Sequence, residues 1–172
     1  MIDPENGEQI TNHENSANPA FAVLSNTAAS YLALGGRWQY LAVAGDPTDY
    51  ALFAYQVPLG YRLHISGISI TVVVRGAAVV TPTILDWSLG LHSTDVSLAS
   101  PSLRRFPIGI QAFTAGAGIG QAPAEMVRRY QPVLISGPGE YVHIIMQQPN
   151  GAATVGLHFR GDVVINGLFR PV

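Results

Sequence analysis

Three of the five histidines, His64, His143 and His158, lie in short apolar segments of the kind that form β-strands. Imidazole is a common ligand of divalent metals, so three histidines that converge in a fold could hold one ion. A lone strand histidine more often faces solvent or makes a hydrogen bond. A fourth, His92, begins the sequence HSTD, yet catalytic triads are assembled from distant segments of a chain. We therefore expect no catalytic residue and no metal site.

The segment GPGEYVH at residues 137–143 resembles the second motif of the metal-binding cupins. The spacing from Pro138 and Gly139 to His143 is off by one residue, however, and Gln147 stands where an Asn is expected. The chain has no His-x-His pair, so the first cupin motif is missing. Without those ligands there is no cage of three nitrogens and one carboxylate. A cupin-like metal-dependent enzyme is therefore a remote alternative, and we expect no cofactor.

Charged residues are scarce in this chain of 172 residues. They make up 12% of the sequence, about half the fraction typical of soluble domains, and all nine basic residues are arginine. A small domain with so few charges has too few water-compatible side chains for its large surface. We therefore expect other copies or other proteins to cover part of that surface. The net charge of −2 argues against nucleic-acid binding. The candidates for interface residues are two arginine pairs and one outward histidine: Arg104, Arg105, Arg128, Arg129 and His64.

The first 20 residues are polar and Asn-rich, and they carry four acidic residues without an arginine. This composition predicts an arm that is disordered alone and that can order against a neighbouring subunit. It lacks the basic start and apolar run of a secretory signal, and no segment reaches the roughly 20 apolar residues of a membrane span. Residues 21–36 are apolar and end in Gly-Gly, which suits either a short helix or an extended connector. We divide the chain into an arm with a connector at 1–36 and a β-domain at 37–172.

From Arg37 onward, short apolar runs alternate with loops rich in Gly and Pro. ILDWSLGL and TVGLHFRG each place apolar side chains on one face, whereas EYVHIIMQ is apolar enough to be covered on both faces. About eight such runs predict an all-β protein, a jelly-roll-like β-sandwich. Only APAEMVRRY suits one or two helical turns. The residues expected inside are Leu85, Trp87, Leu89, Leu91, Val155, Leu157 and Phe159.

The segment YQVPLGYRLHISGISITVVV, residues 55–74, predicts a tight turn followed by an irregular strand. A turn over residues 57–60 would have Pro58 in its second position and Gly60 in its fourth. The inward set changes phase at Gly67, which a strand achieves only through a bulge or a bend. We expect this bend to carry one strand from one sheet to the other.

The series YQVPLGYRLHISGISI, LDWSLGLHSTDVSLAS, RRFPIGIQAFTAGAGIG, PVLISGPGEYVHIIMQ and RGDVVINGLF resembles β-sandwich virion proteins of tailed bacteriophages. Its motifs are turn and strand signals, including Pro138 and Gly139, and none is catalytic. The resemblance implies a jelly-roll-like sandwich that serves as a head decoration (cement) protein or as a fibre or tail-associated subunit. Trimers are common among such proteins, and the resemblance transfers no catalytic residue.

We therefore expect a non-enzymatic structural protein of a virion, made in the host cytoplasm. Its expected partners are other copies of itself, as a trimer, and the major capsid protein or another virion protein, with no nucleic acid and no membrane. The alternative is a β-sandwich module that binds a carbohydrate or a host receptor, with Trp38, Trp87 and Tyr141 as a stacking platform. Trp87 lies among inward leucines and fits the core better.

Overall fold

A computed structural model of the chain describes residues 21–26, 31–42, 49–149 and 156–172. Every regular element in these ranges is a β-strand, so no helix there has the length and apolarity needed to span a bilayer. The ten strands are β1 (Phe21–Asn26), β2 (Tyr31–Leu41), β3 (Asp49–Gln56), β4 (Tyr61–Ile70), β5 (Val73–Arg75), β6 (Thr83–Ser93), β7 (Arg104–Phe113), β8 (Met126–Ser136), β9 (Tyr141–Gln147) and β10 (His158–Pro171).

The strands form two antiparallel sheets with the order of a jelly roll. One sheet runs β1-β2-β10-β4-β8, with β5 paired to β10, and the other runs β3-β9-β6-β7. Strand β2 pairs with β10, β3 with β9, β4 with β8, and β6 with β7. These pairs are what results when one long hairpin rolls up into two facing sheets. The predicted all-β, jelly-roll-like sandwich is confirmed.

The core lies between the two sheets and follows the alternation of the sequence. The four inward residues of ILDWSLGL are Leu85, Trp87, Leu89 and Leu91, and all are fully buried, whereas Asp86 and Ser88 between them are only half-buried. The rings of Trp38 in β2 and Trp87 in β6 meet edge to face across the sandwich, with centroids 5.1 Å apart. Leu157 and Phe159 are buried as expected, and Val155 lies outside the described residues.

The six-stranded sheet begins upstream of the boundary expected at residue 37. Residues 21–26 and 31–36 are not helical, because β1 pairs antiparallel with β2 and β2 pairs in turn with β10. Likewise, the segment proposed for helical turns, APAEMVRRY, enters strand β8 at Met126. In both segments, pairing with a neighbouring strand decides the conformation over local propensity. The segment EYVHIIMQ, in contrast, is buried on both faces as expected.

The turn that follows β3 lies one residue later than the sequence suggested. The N–H of Tyr61 donates to the carbonyl oxygen of Pro58 at 3.2 Å, so Pro58 opens the turn. Gly60 is then its third residue and has a φ of +88°, which a side chain would disfavour. The expected turn over residues 57–60 is therefore wrong in register, because the residue with positive φ must be the third.

Strand β4 contains the predicted phase slip. Ile65 and Ile68 both point into the core, and Ser66 is the extra residue, because Ile65 and Gly67 lie opposite consecutive residues of β10. The whole strand nevertheless stays in the six-stranded sheet. The expectation that it bends from one sheet to the other is wrong, since the bulge restores the inward phase within one sheet.

Two glycines allow backbones to approach closely at this sheet. A Cβ on Gly67 would lie 3.1 Å from the carbonyl oxygen of Arg128 in β8. A Cβ on Gly161 in β10 would overlap the carbonyl oxygen of Thr71, at the break between β4 and β5. Thr71 donates its N–H to the Asp162 carbonyl oxygen at 2.9 Å, so it cannot move away without losing that bond. Space, and not positive φ, is therefore the reason for both glycines.

Valine should destabilise the protein at both positions, and more at Gly161 than at Gly67, because the added Cβ lies closer to a neighbouring carbonyl oxygen at Gly161. We expect Gly161→Val to cost more than about 3 kcal/mol of the free energy of unfolding and Gly67→Val about 1–3 kcal/mol. Gly118→Val is the control, because a Cβ there meets nothing within 4 Å, and it should stay within about 0.5 kcal/mol. Denaturant unfolding measures all three, and equal stability of Gly67→Val and the parent would refute the steric account.

Candidate functional site

Two crossovers between the sheets lie side by side at one end of the sandwich. Residues 57–60 lead from β3 to β4, and residues 137–140 lead from β8 to β9. The N–H of Val57 donates to the Glu140 carbonyl oxygen at 2.9 Å, and the N–H of Gly139 donates to the Val57 carbonyl oxygen at 2.8 Å. Gly139 has a φ of +75° in its turn after Pro138. The V-P-x-G and P-G-E motifs are thus the two hydrogen-bonded crossovers.

The carboxylate of Glu140 holds this junction together. One oxygen, Oε2, accepts hydrogen bonds from the Gly137 N–H at 2.6 Å and from Ser136 Oγ at 3.1 Å. His92 Nδ1, at the end of β6, lies 3.2 Å from the same oxygen. Burial alone would raise the pKa of Glu140, but the bonds from Gly137, His92 and Ser136 outweigh it and hold the pKa below its ordinary value.

This Ser-His-Glu group has the residue types of a hydrolase triad but not its geometry. Ser136 and His92 both bind the Glu140 carboxylate, whereas a triad needs the histidine between the serine and the acid. Ser136 is also completely buried. The group is therefore a clamp that ties the end of β6 to the crossover between β8 and β9. The sequence HSTD contributes only His92 to it.

His143 in β9 is completely buried on the side of its sheet that faces away from the core. Neither ring nitrogen makes a hydrogen bond within the described part of the chain, and the ring stacks on Tyr141. Burial lowers the pKa of His143 and outweighs the opposing effect of the neighbouring Asp95. A neutral, buried imidazole is the consequence.

The histidines proposed as metal ligands are not brought together. His64 lies on the outer face of β4, His143 lies under the loop after β6, and His158 is exposed at the start of β10. Among the described residues no three His, Cys, Asp or Glu side chains form a group able to hold a metal ion. The stacking platform is lost as well, since Trp38 and Trp87 are buried against each other and only Tyr141 is partly accessible.

The two arginine pairs lie on the end strands of the two sheets. Arg104 and Arg105 begin β7, where Arg105 forms an ion pair with Asp49. Arg128 and Arg129 are exposed on β8, and the Arg128 guanidinium lies 6.0 Å from the centre of the Tyr130 ring. The four arginines are therefore divided between the edge strands of two different sheets. Their role in an interface stays a prediction.

A third group of basic residues, the basic cluster of Arg62, His64 and Arg170, lies on the outer face of the six-stranded sheet. Arg170 in β10 is directly opposite Arg62 in β4. Partial burial and then the charges of Arg170 and Arg62 lower the pKa of His64. The alternation of the sequence places Arg62 and His64 outward, but Arg170 is 108 positions away from Arg62 in the sequence. Only the pairing of β4 with β10 reveals the cluster.

No protein-family model and no curated protein matches the chain. Among solved structures, the chain resembles one of infectious bursal disease virus, Gx strain, with 15% identity and a TM-score of 0.44 over 96% of this chain. It spans 36% of that protein's length. Desmodium yellow mottle tymovirus gives 9% identity and a TM-score of 0.36, over 86% of this chain and 91% of the other. A xylan-binding domain of family 22 gives 10% and 0.32, over 94% and 81%. These likenesses are too distant to assign a role, and the jelly-roll fold follows from the strand order.

Glu140→Gln should destabilise the protein at neutral pH and should make it less sensitive to acid. The folded pKa is lowered, so the clamp stabilises the protein above the ordinary value of 4.5 and loses this effect as pH falls through the folded pKa. We expect a loss of about 1–2 kcal/mol at pH 7 that shrinks toward zero below about pH 4. Denaturant unfolding from pH 7 to pH 3 measures it. Glu125→Gln, at an exposed glutamate, is the matched control, and identical curves for both variants would contradict the clamp.

His143→Leu should leave the protein as stable as the parent at pH 8 and more stable at pH 5.5. The folded pKa is lowered, so as pH falls through the ordinary value of 6.5 the unfolded chain binds a proton that the folded chain does not. The parent then loses up to about 1.4 kcal/mol per pH unit, and the leucine variant does not. Thermal unfolding across this range tests it, with exposed His158→Leu as the control. A leucine variant that follows the pH dependence of the parent would refute a neutral buried imidazole.

Proposed function

We propose that this chain is a non-enzymatic structural subunit of a virion, which decorates or cements a capsid or tail through contacts with other copies and with another virion protein. The observation that carries the proposal is the character of the outward surface. Large apolar side chains are exposed on a chain with few charges, which favours coverage by other subunits. Those exposed by more than half are Leu41, Leu59, Val80, Val96, Ile110, Ile119, Val127 and Val172.

Two of these residues follow positions at which the end strands of the two sheets approach each other. A Cβ on Gly109 in β7 would lie 2.6 Å from Sδ of Met126 in β8, so the end strands of the two sheets approach each other closely here. The next residues in each strand, Ile110 and Val127, are 65% and 58% exposed. Arg128 follows Val127 directly. Apolar residues flanked by arginine are typical of protein–protein interfaces and not of solvated surfaces.

The resemblance to phage virion proteins supports the same role. Its V-P-x-G and P-G-E motifs are the two crossovers, and its Trp-bearing strand is β6. These residues build the sheets and join them to each other. The rival carbohydrate-binding role has lost Trp38 and Trp87 to the core, which leaves Tyr141 alone as a stacking surface.

The proposal predicts that the protein is a stoichiometric part of purified particles. Quantitative mass spectrometry of virions from cells that produce this chain should find it in a fixed ratio to the major capsid protein, with a copy number per particle that is a multiple of three if it is trimeric. Electron microscopy with an antibody against the chain should place it on the outside of the head or on the tail. Absence of the protein from purified particles would overturn the proposal. Binding of the pure protein to a glycan array, together with that absence, would favour the carbohydrate-binding alternative.

A further inference from the structure

The basic cluster has unpaired positive charge on the middle strands of a sheet. Arg62 and Arg170 are exposed and directly opposite each other, and neither makes an ion pair with another described residue. His64 is the next outward residue of β4. It has Leu168 of β10 on one side and Ile135 of β8, which is 42% exposed, on the other. The surface is therefore a basic patch next to a short row across three strands, in which the apolar residues Leu168 and Ile135 lie on either side of His64.

The same face of the sheet shows a different arrangement further along β10. There Asp162 lies directly opposite Arg37 of β2, and the guanidinium is 3.7 Å from the carboxylate. Opposite charges in facing positions stabilise a sheet, and like charges destabilise it. Arg62 and Arg170 lack such an acid within the described residues. An anion supplied from outside this part of the chain would remove the repulsion.

The chain itself carries a matching anion. Its first 20 residues hold four of the eleven acidic residues and none of the nine arginines, so the rest of the chain has nine arginines against seven acids. The acidic residues, Asp3, Glu5, Glu8 and Glu14, are interspersed with Ile2 and Ile10. Acidic residues with occasional isoleucines are complementary to a basic cluster beside Leu168 and Ile135.

The direction of β1 indicates which copy provides this segment. Phe21 lies at the level of Val163 in β10, and Asn26 lies at the level of Leu168, so β1 runs toward the basic cluster. The residues before Phe21 therefore join β1 at the end remote from Arg170, seven residues or about 23 Å away along the sheet. Within one copy the segment would have to reverse its direction and return over its own sheet. The segment of a neighbouring copy has no such requirement.

We propose that residues 1–20 of one copy bind across the basic cluster of a second copy, with their carboxylates on Arg62 and Arg170 and their isoleucines on the row of Leu168 and Ile135. This contact gives the assembly role proposed above a specific surface between copies. It rests on that role only for its biological meaning. Its test uses the pure protein, so the contact can fail while the protein is still found in particles, and the reverse also holds.

A charge exchange in the full-length chain tests the contact. Sedimentation equilibrium at low salt should show self-association that weakens as salt is raised, because exposed ion pairs are screened. The double variant Arg62→Glu with Arg170→Glu should weaken the association constant by roughly tenfold, about 1.4 kcal/mol. Adding Asp3→Lys, Glu5→Lys and Glu8→Lys to that variant should restore association. Restoration cannot be explained by misfolding, and thermal unfolding checks each variant.

The matched control is Arg75→Glu with Arg160→Glu, which changes the net charge equally at two exposed arginines outside the basic cluster and outside the two arginine pairs. It should associate as the parent does. The contact is overturned if both double variants weaken association equally, if the lysine substitutions restore nothing, or if the parent is monomeric at every concentration. Salt-dependent binding of heparin that requires Arg62 and Arg170, with unchanged self-association, would also overturn it and assign the cluster to a foreign polyanion.

Discussion

The sandwich depends on one constraint: every strand must keep one face of apolar side chains in the space between the two sheets. Side chains alternate with a period of two, so any irregularity in a strand would turn the following residues outward. β4 solves this with the extra residue Ser66, and the ladders of β3 with β9 and of β6 with β7 have register shifts of their own. In β4 the shift corrects the phase locally, which keeps both Ile65 and Ile68 completely buried.

A second requirement follows from rolling one hairpin into two sheets, because the chain must cross between them repeatedly. The two adjacent crossovers at residues 57–60 and 137–140 bind each other through backbone hydrogen bonds, and the Glu140 carboxylate fastens them to β6. A charged group is suited to this position because several donors converge on it and it remains partly accessible to water. The motif P-G-E thus combines a turn with the carboxylate that holds this turn to β6, although in the sequence it indicates only a turn.

The sequence predicts whatever depends on alternation and little that depends on pairing. The inward residues of β6, the burial of β9 on both faces and the phase slip at Gly67 were all predictable, because the period of the apolar residues indicates which face of a strand is buried. The strands β1 and β8 were not, because their conformation depends on pairing with another strand, β2 for β1 and β4 for β8, and not on their own alternation. The same limit applies to the candidate sites. Arg104 and Arg128 are each followed directly by a second arginine, so both pairs are visible in the sequence. Arg62 and Arg170, in contrast, form a cluster only because β4 pairs with β10.

The positions of the arginines separate two physical roles. Arg104 and Arg105 lie on β7, and Arg128 and Arg129 lie on β8, which are end strands of the two sheets. Charge on an end strand discourages other chains from adding to the sheet edge, so these arginines have a use even in an isolated protein. Arg62 and Arg170 lie on interior strands, where no edge needs protection and where facing each other only costs stability. A cost without a benefit in the isolated domain is best explained by a partner that removes it, which makes the basic cluster a stronger interface candidate than either arginine pair.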